Sequence, residues 1–158
     1  MQNQSLPERA ELIRPGDDAP DFTLLDQHRN EWTLSDALQQ GDVVLCFFPF
    51  AFTDVCSAEM KCVNDEIEAW KAKGTTVVGI SCDSFAALNA WAVQMGLQQT
   101  LLADMHRKIC KAYGLYWPDL HVASRGTVVI DRSGKVKWAQ GRQPGDAMAW
   151  DEVLGHAG

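Results

Sequence analysis

The chain has 158 residues, 46% apolar and 22% charged, the balance of a single folded domain with a substantial core, expected to span 1–158. Fourteen basic against twenty-one acidic residues leave a formal charge of −7, which argues against a nucleic-acid partner, whose surface would need a basic patch. No apolar run approaches the roughly 20 residues that cross a bilayer, and the polar opening with Glu8, Arg9, Glu11 and Arg14 lacks a signal peptide's apolar centre, so no membrane partner and a cytoplasmic location are expected.

Residues 1–14 read as a loose tail, and Pro15-Gly16-Asp17-Asp18-Ala19-Pro20 as a turn. Residues 21–25 and 31–33 form the two strands of a small hairpin around a turn at 26–30. Ser35 is expected to open a short helix that ends near Gly41. Residues 43–48 are almost wholly apolar and rich in β-branched and aromatic types, as in a strand covered on both faces. Pro49 cannot donate to a sheet ladder and should end that strand. Residues 53–73 read as one long amphipathic helix, with Met60, Val63, Ile67 and Trp70 inward and Gly74 as its stop. A second apolar strand follows at 75–81, then a helix capped by Ser84 and closed by Gly96, with Leu88, Trp91 and Met95 on one face. Residues 100–103 suggest a short strand and 106–113 another helix. Residues 125–130 and 136–140 flank the loop Asp131-Arg132-Ser133-Gly134 as a hairpin, and 146–154 should form a terminal helix. Strands that alternate with helices predict parallel pairs with right-handed crossovers, here in a mixed α/β sheet flanked by helices on both faces.

Cys56 falls in the first turn of the helix that follows the apolar strand. There, unpaired N–H groups and the helix dipole favour a thiolate. Thr53 stands where an N-cap is expected, its hydroxyl able to accept from an early helical N–H. A free thiol titrates near pH 8.5, and helix N-termini with nearby cations bring this to about 3.5–7.5. The competing reading is a buried, inert cysteine.

Pro49, Thr53 and Cys56 match the Pro-x-x-x-Thr-x-x-Cys signature of the peroxiredoxins, the thiol peroxidases. The run Phe-Phe-Pro-x-Ala-Phe-Thr before the cysteine most resembles the one-cysteine, alkyl-hydroperoxide-reductase-E-like branch. The phrase Gly-Asp-x-Ala-Pro-Asp-Phe-x-Leu also looks like the start of that family. The resemblance implies a thioredoxin-like fold with the peroxiredoxin additions, including an N-terminal hairpin. It implies reduction of hydrogen peroxide, alkyl hydroperoxides and, as a further substrate, peroxynitrite. In this reading Cys56 is the nucleophile that becomes sulfenic acid, Thr53 binds the peroxide, and Pro49 shields the site. Arg125, in Ser-Arg-Gly-Thr-x-Val-Ile-Asp, matches the segment that carries the family's active-site arginine. Backbone N–H groups of Val55 and Cys56 would complete an oxyanion-type cradle. Glu59 has two readings: it orients groups around Arg125, or it only complements the helix dipole.

The cysteines are Cys46, Cys56, Cys62, Cys82 and Cys110, an odd number with no Cys-x-x-Cys pair. This weighs against a disulfide framework and a zinc ribbon or finger; the four histidines show no ligand spacing, and neither metal nor cofactor is expected. Some relatives resolve the sulfenic acid with a cysteine five residues on; here that position is Lys61. Cys62 lies six residues on, about 9 Å along a helix and on another face. Cys82, at the end of a neighbouring strand, is the better internal resolving candidate, against its reading as a small core hydrophobe. Resolution by an external thiol is therefore expected, from a thioredoxin-, glutaredoxin- or mycoredoxin-like protein or a low-molecular-weight thiol. Many relatives pair edge to edge, so a homodimer is expected; Phe50, Phe52, Trp91 and Tyr116-Trp117 fit either its interface or the core. The competing functions are a thioredoxin-like thiol–disulfide oxidoreductase and a non-catalytic binding module or metallochaperone. Both suffer from the missing dithiol pair.

Overall fold

The computed structural model describes residues 6–146 and 149–157, without the side chains of residues 150 and 151. Its strands are β1 (Thr23–Asp26), β2 (Glu31–Thr33), β3 (Val43–Phe47), β4 (Thr76–Ser81), β5 (Thr100–Ala103), β6 (Tyr116–Trp117), β7 (Val122–Ala123), β8 (Gly126–Ile130) and β9 (Val136–Gly141). Its helices are α1 (Leu34–Leu38), α2 (Asp54–Asp65), α3 (Ile67–Ala72), α4 (Phe85–Met95), α5 (Lys108–Ala112) and α6 (Trp150–His156). Seven strands form one mixed sheet in the order β2-β1-β5-β4-β3-β8-β9. The strands β5, β4 and β3 are parallel, while β1 and β8 flank them antiparallel. The expected α/β architecture is thus borne out.

The apolar run at β3 works as a strand with both faces covered. Val43, Leu45 and Phe47 join one buried layer with Ile109, Cys110 and Tyr113, while Val44, Cys46 and Phe48 join the other with Cys56, Met60, Leu88 and Trp91. Alternation of side chains across the sheet therefore puts α1 and α5 on one face and α2, α3, α4 and α6 on the other. Gly79 in β4 lets α2 come close: a Cβ there would lie 3.0 Å from the Met60 sulfur and 2.9 Å from a Leu101 methyl.

Several expectations change. The helix over 53–73 is two helices, broken at Glu66 (φ −102°, ψ 16°). The break follows Asn64-Asp65, both poor helix formers, and the Asn64 side-chain Oδ1 accepts from Gln98 N at 2.8 Å. The short hairpin β6–β7 lies in a stretch left without strands in the sequence reading. The terminal helix starts at Trp150, and residues 147–148 of its expected span lie outside the described residues. The tail is not loose from Leu6 onward. Ile13 is buried, Arg9 N donates to Lys111 O at 2.9 Å, and Ile13 N donates to Tyr113 O at 3.1 Å. Gly114 permits this docking, since a Cβ there would sit 2.0 Å from Glu11 O. Residues 1–5 lie outside the described residues. Among the described residues, no helix is long and apolar enough to cross a membrane.

Candidate active site

Strand β3 hands the chain to α2 through residues 48–53. Phe48 N still donates to Ile80 O of β4 at 3.0 Å, and then Pro49, itself buried, ends the ladder. Asp83 pins the turn that follows: one carboxylate oxygen accepts from Ala51 N at 2.9 Å and from Ser81 Oγ at 2.8 Å. Phe52 adopts φ +67°, an uncommon backbone for a bulky residue, and its ring is 50% exposed. Thr53 occupies the N-cap position of α2 with extended backbone, but its side chain caps no helical N–H. Its Oγ1 donates to Phe50 O at 2.8 Å instead, which corrects the capping expectation. The hydroxyl hydrogen holds the loop, its oxygen keeps lone pairs to accept a further bond, and Thr53 is exposed.

Ser57 N is bonded to Thr53 O at 2.9 Å, so the N–H groups of residues 54–56 precede the first intrahelical bond of α2. Cys56 lies in that turn, buried at 1% exposure. Arg125 Nη2 donates to its Sγ at 2.9 Å. The same guanidinium donates from Nη1 to Glu59 Oε1 at 3.0 Å and from Nε to Pro144 O at 3.0 Å. Glu59 stands one helical turn after Cys56, and its second oxygen accepts from Arg142 Nη2 at 3.3 Å. Arg142 Nη1 also reaches Gln140 Oε1 at 3.5 Å.

Sheet register explains how such distant residues meet. In the antiparallel β3–β8 pair Phe47 faces Gly126, so Arg125 arrives beside the end of β3 that feeds the loop. In the β8–β9 pair Gly126 faces Gly141, and Arg142 N donates to Arg125 O at 2.9 Å. Both arginines therefore emerge at the same sheet edge as Cys56. Glu59 and Arg125 are 1% and 3% exposed, so their charges interact with little solvent screening. Both guanidiniums meet the Glu59 carboxylate, and Arg125 also meets the Cys56 sulfur. Of the two readings of Glu59, the geometry fits the one that orients Arg125.

Arg142 and Asp83 were not singled out by sequence reasoning. Arg142 was legible in principle, because pairing the two strands around the Asp131 loop carries it to the same edge as Arg125. Trp91, expected at an interface or in the core, is fully buried, and its Nε1 donates to Ser57 Oγ at 3.2 Å. A cleft of about 380 Å³ opens beside the arginines, lined by Trp117, Ser124, Arg125, Arg142, Gln143 and Pro144.

The other cysteines fall elsewhere. Cys46 is buried in β3, its thiol pushed well up by burial and then by the Glu59 charge. Cys62 is exposed. Cys82 does not approach Cys56. It packs in the layer on the opposite face of the sheet, with its sulfur 3.9 Å from that of Cys110. A parallel neighbour of β3 does end near the same edge, but side-chain alternation after Ser81 turns Cys82 away, which corrects its candidacy as resolving cysteine.

The AhpC/TSA family model matches residues 15–139. Alkyl hydroperoxide reductase E of Mycobacterium tuberculosis (strain ATCC 25618 / H37Rv) is 34% identical over 148 residues, covering 90% of this chain and 97% of that protein. The chloroplastic 2-Cys peroxiredoxin BAS1 of Hordeum vulgare is 32% identical over 88% of this chain and 71% of its own length. Among solved structures, peroxidoxin BcpB from Mycobacterium tuberculosis superimposes with a TM-score of 0.84 at 28% identity, covering 91% of this chain and 96% of that one. The reduced 2-Cys peroxiredoxin of Plasmodium vivax gives a TM-score of 0.83 at 27% identity, over 90% and 79% of the respective chains.

Proposed function

Because this chain belongs to the AhpC/TSA family, the peroxiredoxins, and is a thiol-dependent peroxidase, we propose that Cys56 is its peroxidatic nucleophile, activated by Arg125 and Thr53 and shielded by Pro49. The observation that carries this reading is the 2.9 Å contact from the Arg125 guanidinium to the Cys56 sulfur. The sulfur attacks the terminal peroxide oxygen. An S–O bond forms as the O–O bond breaks, and the departing oxygen keeps the electron pair and takes a proton, leaving as water or an alcohol. Arg125 lies where it steadies both the attacking sulfur and the charge that grows on the departing oxygen. Thr53, exposed at the helix start, contributes its hydroxyl to the incoming peroxide. Glu59 acts as a positioning residue, holding Arg125 and Arg142 by its two oxygens.

The substrates are hydrogen peroxide and alkyl hydroperoxides, with peroxynitrite as a further one. Because Cys82 packs on the opposite face of the sheet, an external thiol resolves the sulfenic acid. Its attack forms a mixed disulfide and releases water, and a second thiol then frees Cys56. The reductant is a thioredoxin-, glutaredoxin- or mycoredoxin-like protein or a low-molecular-weight thiol. Five free cysteines fit a reducing compartment such as the cytoplasm. The exposed Phe52 ring beside Trp91, 6.4 Å between centroids, fits the contact of a homodimer of single-domain chains.

The test is intact-mass analysis of the reduced protein after sub-stoichiometric hydrogen peroxide. The expected product carries one added oxygen on Cys56, and Cys56→Ser removes it. Oxygen spread over all five thiols, or none taken up at all, would overturn the assignment.

A further inference from the structure

We propose that Cys82, Asp104 and Cys110 form a binding site for one divalent, thiophilic cation of the zinc class, on the face of the sheet opposite the Cys56 site. One ligand atom from each of the three lies within 4.8 Å of the other two. The two sulfurs are 3.9 Å apart. Zinc–sulfur bonds of about 2.3 Å at a tetrahedral angle put two sulfurs about 3.8 Å apart, so the pair already has the spacing of a zinc centre. A disulfide would require the same sulfurs to close to about 2 Å.

The backbone holds the three residues in place without a metal. Cys82 and Asp104 each follow a strand end, and those strands are parallel neighbours with Ser81 facing Ala103. Asp104 N donates to Ser81 O at 2.8 Å, which locks the two ends together. The Asp104 carboxylate is buried and accepts from Cys110 N at 2.8 Å and Ile109 N at 3.2 Å. These two bonds seat α5 over the site and leave further lone pairs on a group with about four acceptor positions. Cys110 is buried, whereas Cys82 is half-buried and opens the site to solvent, where water supplies a fourth ligand. Two sulfur donors disfavour magnesium and calcium, which take oxygen ligands, and suit zinc. Binding converts both thiols to thiolates and releases two protons to solvent.

Cobalt(II) is the probe, added anaerobically to the reduced full-length Cys56→Ser protein. One equivalent should bind, with a thiolate-to-metal charge-transfer band sized for two sulfurs, and zinc(II) should displace it. Cys82→Ser and Cys110→Ser should each weaken binding by at least about a hundredfold and halve the band of any residual complex, and Asp104→Asn should weaken it by about tenfold or more. In a background with Cys56 intact, Cys82→Ser should keep the rate of Cys56 oxidation by peroxide, which shows that the fold survives. If Cys110→Ser does not fold, Cys82→Ser alone decides. Absence of the band, or its undiminished persistence in Cys82→Ser, would overturn the site.

Discussion

Cys56 and Cys110 occupy the same place in their helices, the third residue of α2 and of α5, and both are buried. Their surroundings are opposite. Cys56 receives a guanidinium hydrogen at 2.9 Å. Cys110 faces a second thiol and a buried carboxylate; hydrogen bonding with Cys82, then burial, then the Asp104 charge push its thiol up. A helix start is common to both, so it does not tell the two sulfurs apart. The sign of the nearest charged side chain makes the difference, and that sign is set by which strand ends at which edge of the sheet. On one face β8 and β9 deliver two arginines; on the other β5 delivers an aspartate.

The largest effect is expected from removing the cation. Arg125→Met should slow oxidation of Cys56 by about 10²–10³, the usual loss when one charge-stabilising donor is taken away. Stopped-flow measurement with hydrogen peroxide checks this, and Cys110→Ala, on the other face, should leave the rate within about twofold. Equal losses in the two variants would mean that the faces are not independent. The next effect is on stability. Glu59→Gln leaves the Arg125 and Arg142 guanidiniums without their shared buried carboxylate. It should lower the unfolding free energy by about 3 kcal/mol in urea titrations. An unchanged midpoint would show that the arginines find other acceptors.

Much of the Cys56 face was legible in the chain because its parts are local. An apolar run, a proline and a threonine three residues before the cysteine fall within one strand-to-helix passage, and short-range rules read such passages well. Arg125 was reached through family likeness, since nothing local separates it from Arg132 or Arg142. Register separates them: Arg125 and Arg142 flank the Gly126–Gly141 pair, while Arg132 lies at the far turn and donates to Gln39 O at 3.0 Å. The Cys82–Cys110 contact was illegible, because it depends on which face each side chain takes after its element ends. The break at Glu66 also escaped, since the amphipathic spacing of Met60, Val63 and Trp70 runs on across it and all three are buried.

A smaller effect separates two residues that occupy the same N-cap position. Ser84 Oγ accepts from Ala87 N at 3.1 Å, whereas Thr53 makes no such bond. Ser84→Ala should therefore cost about 1 kcal/mol of stability. Thr53→Val keeps the shape and loses only the bond to Phe50 O, so its stability cost should be about 0.5 kcal/mol. Its effect should appear instead in the rate of Cys56 oxidation. A stability loss as large as that of Ser84→Ala, with the rate unchanged, would return Thr53 to a purely structural role.

The smallest lever on the guanidinium side lies at the far end of the hairpin that carries both arginines. Asp131 Oδ1 accepts from Ser133 Oγ at 2.5 Å, Ser133 N at 2.9 Å and Lys135 N at 3.1 Å. The Ser133 side-chain bond, against an opposing burial effect and with help from the two backbone bonds, holds this carboxyl below the usual range. A folded value below the unfolded one means that the unfolded chain binds more protons in the window between them, so stability rises with pH there. The contribution is complete above the ordinary carboxylate range, near pH 4, and is lost as pH falls through the folded value. Asp131→Asn should flatten this part of the acid limb of a thermal-stability profile and leave Cys56 oxidation at neutral pH unchanged. A slower rate in that variant would mean that the turn helps to aim Arg125, and that the guanidinium side of the comparison is held along the whole length of the hairpin.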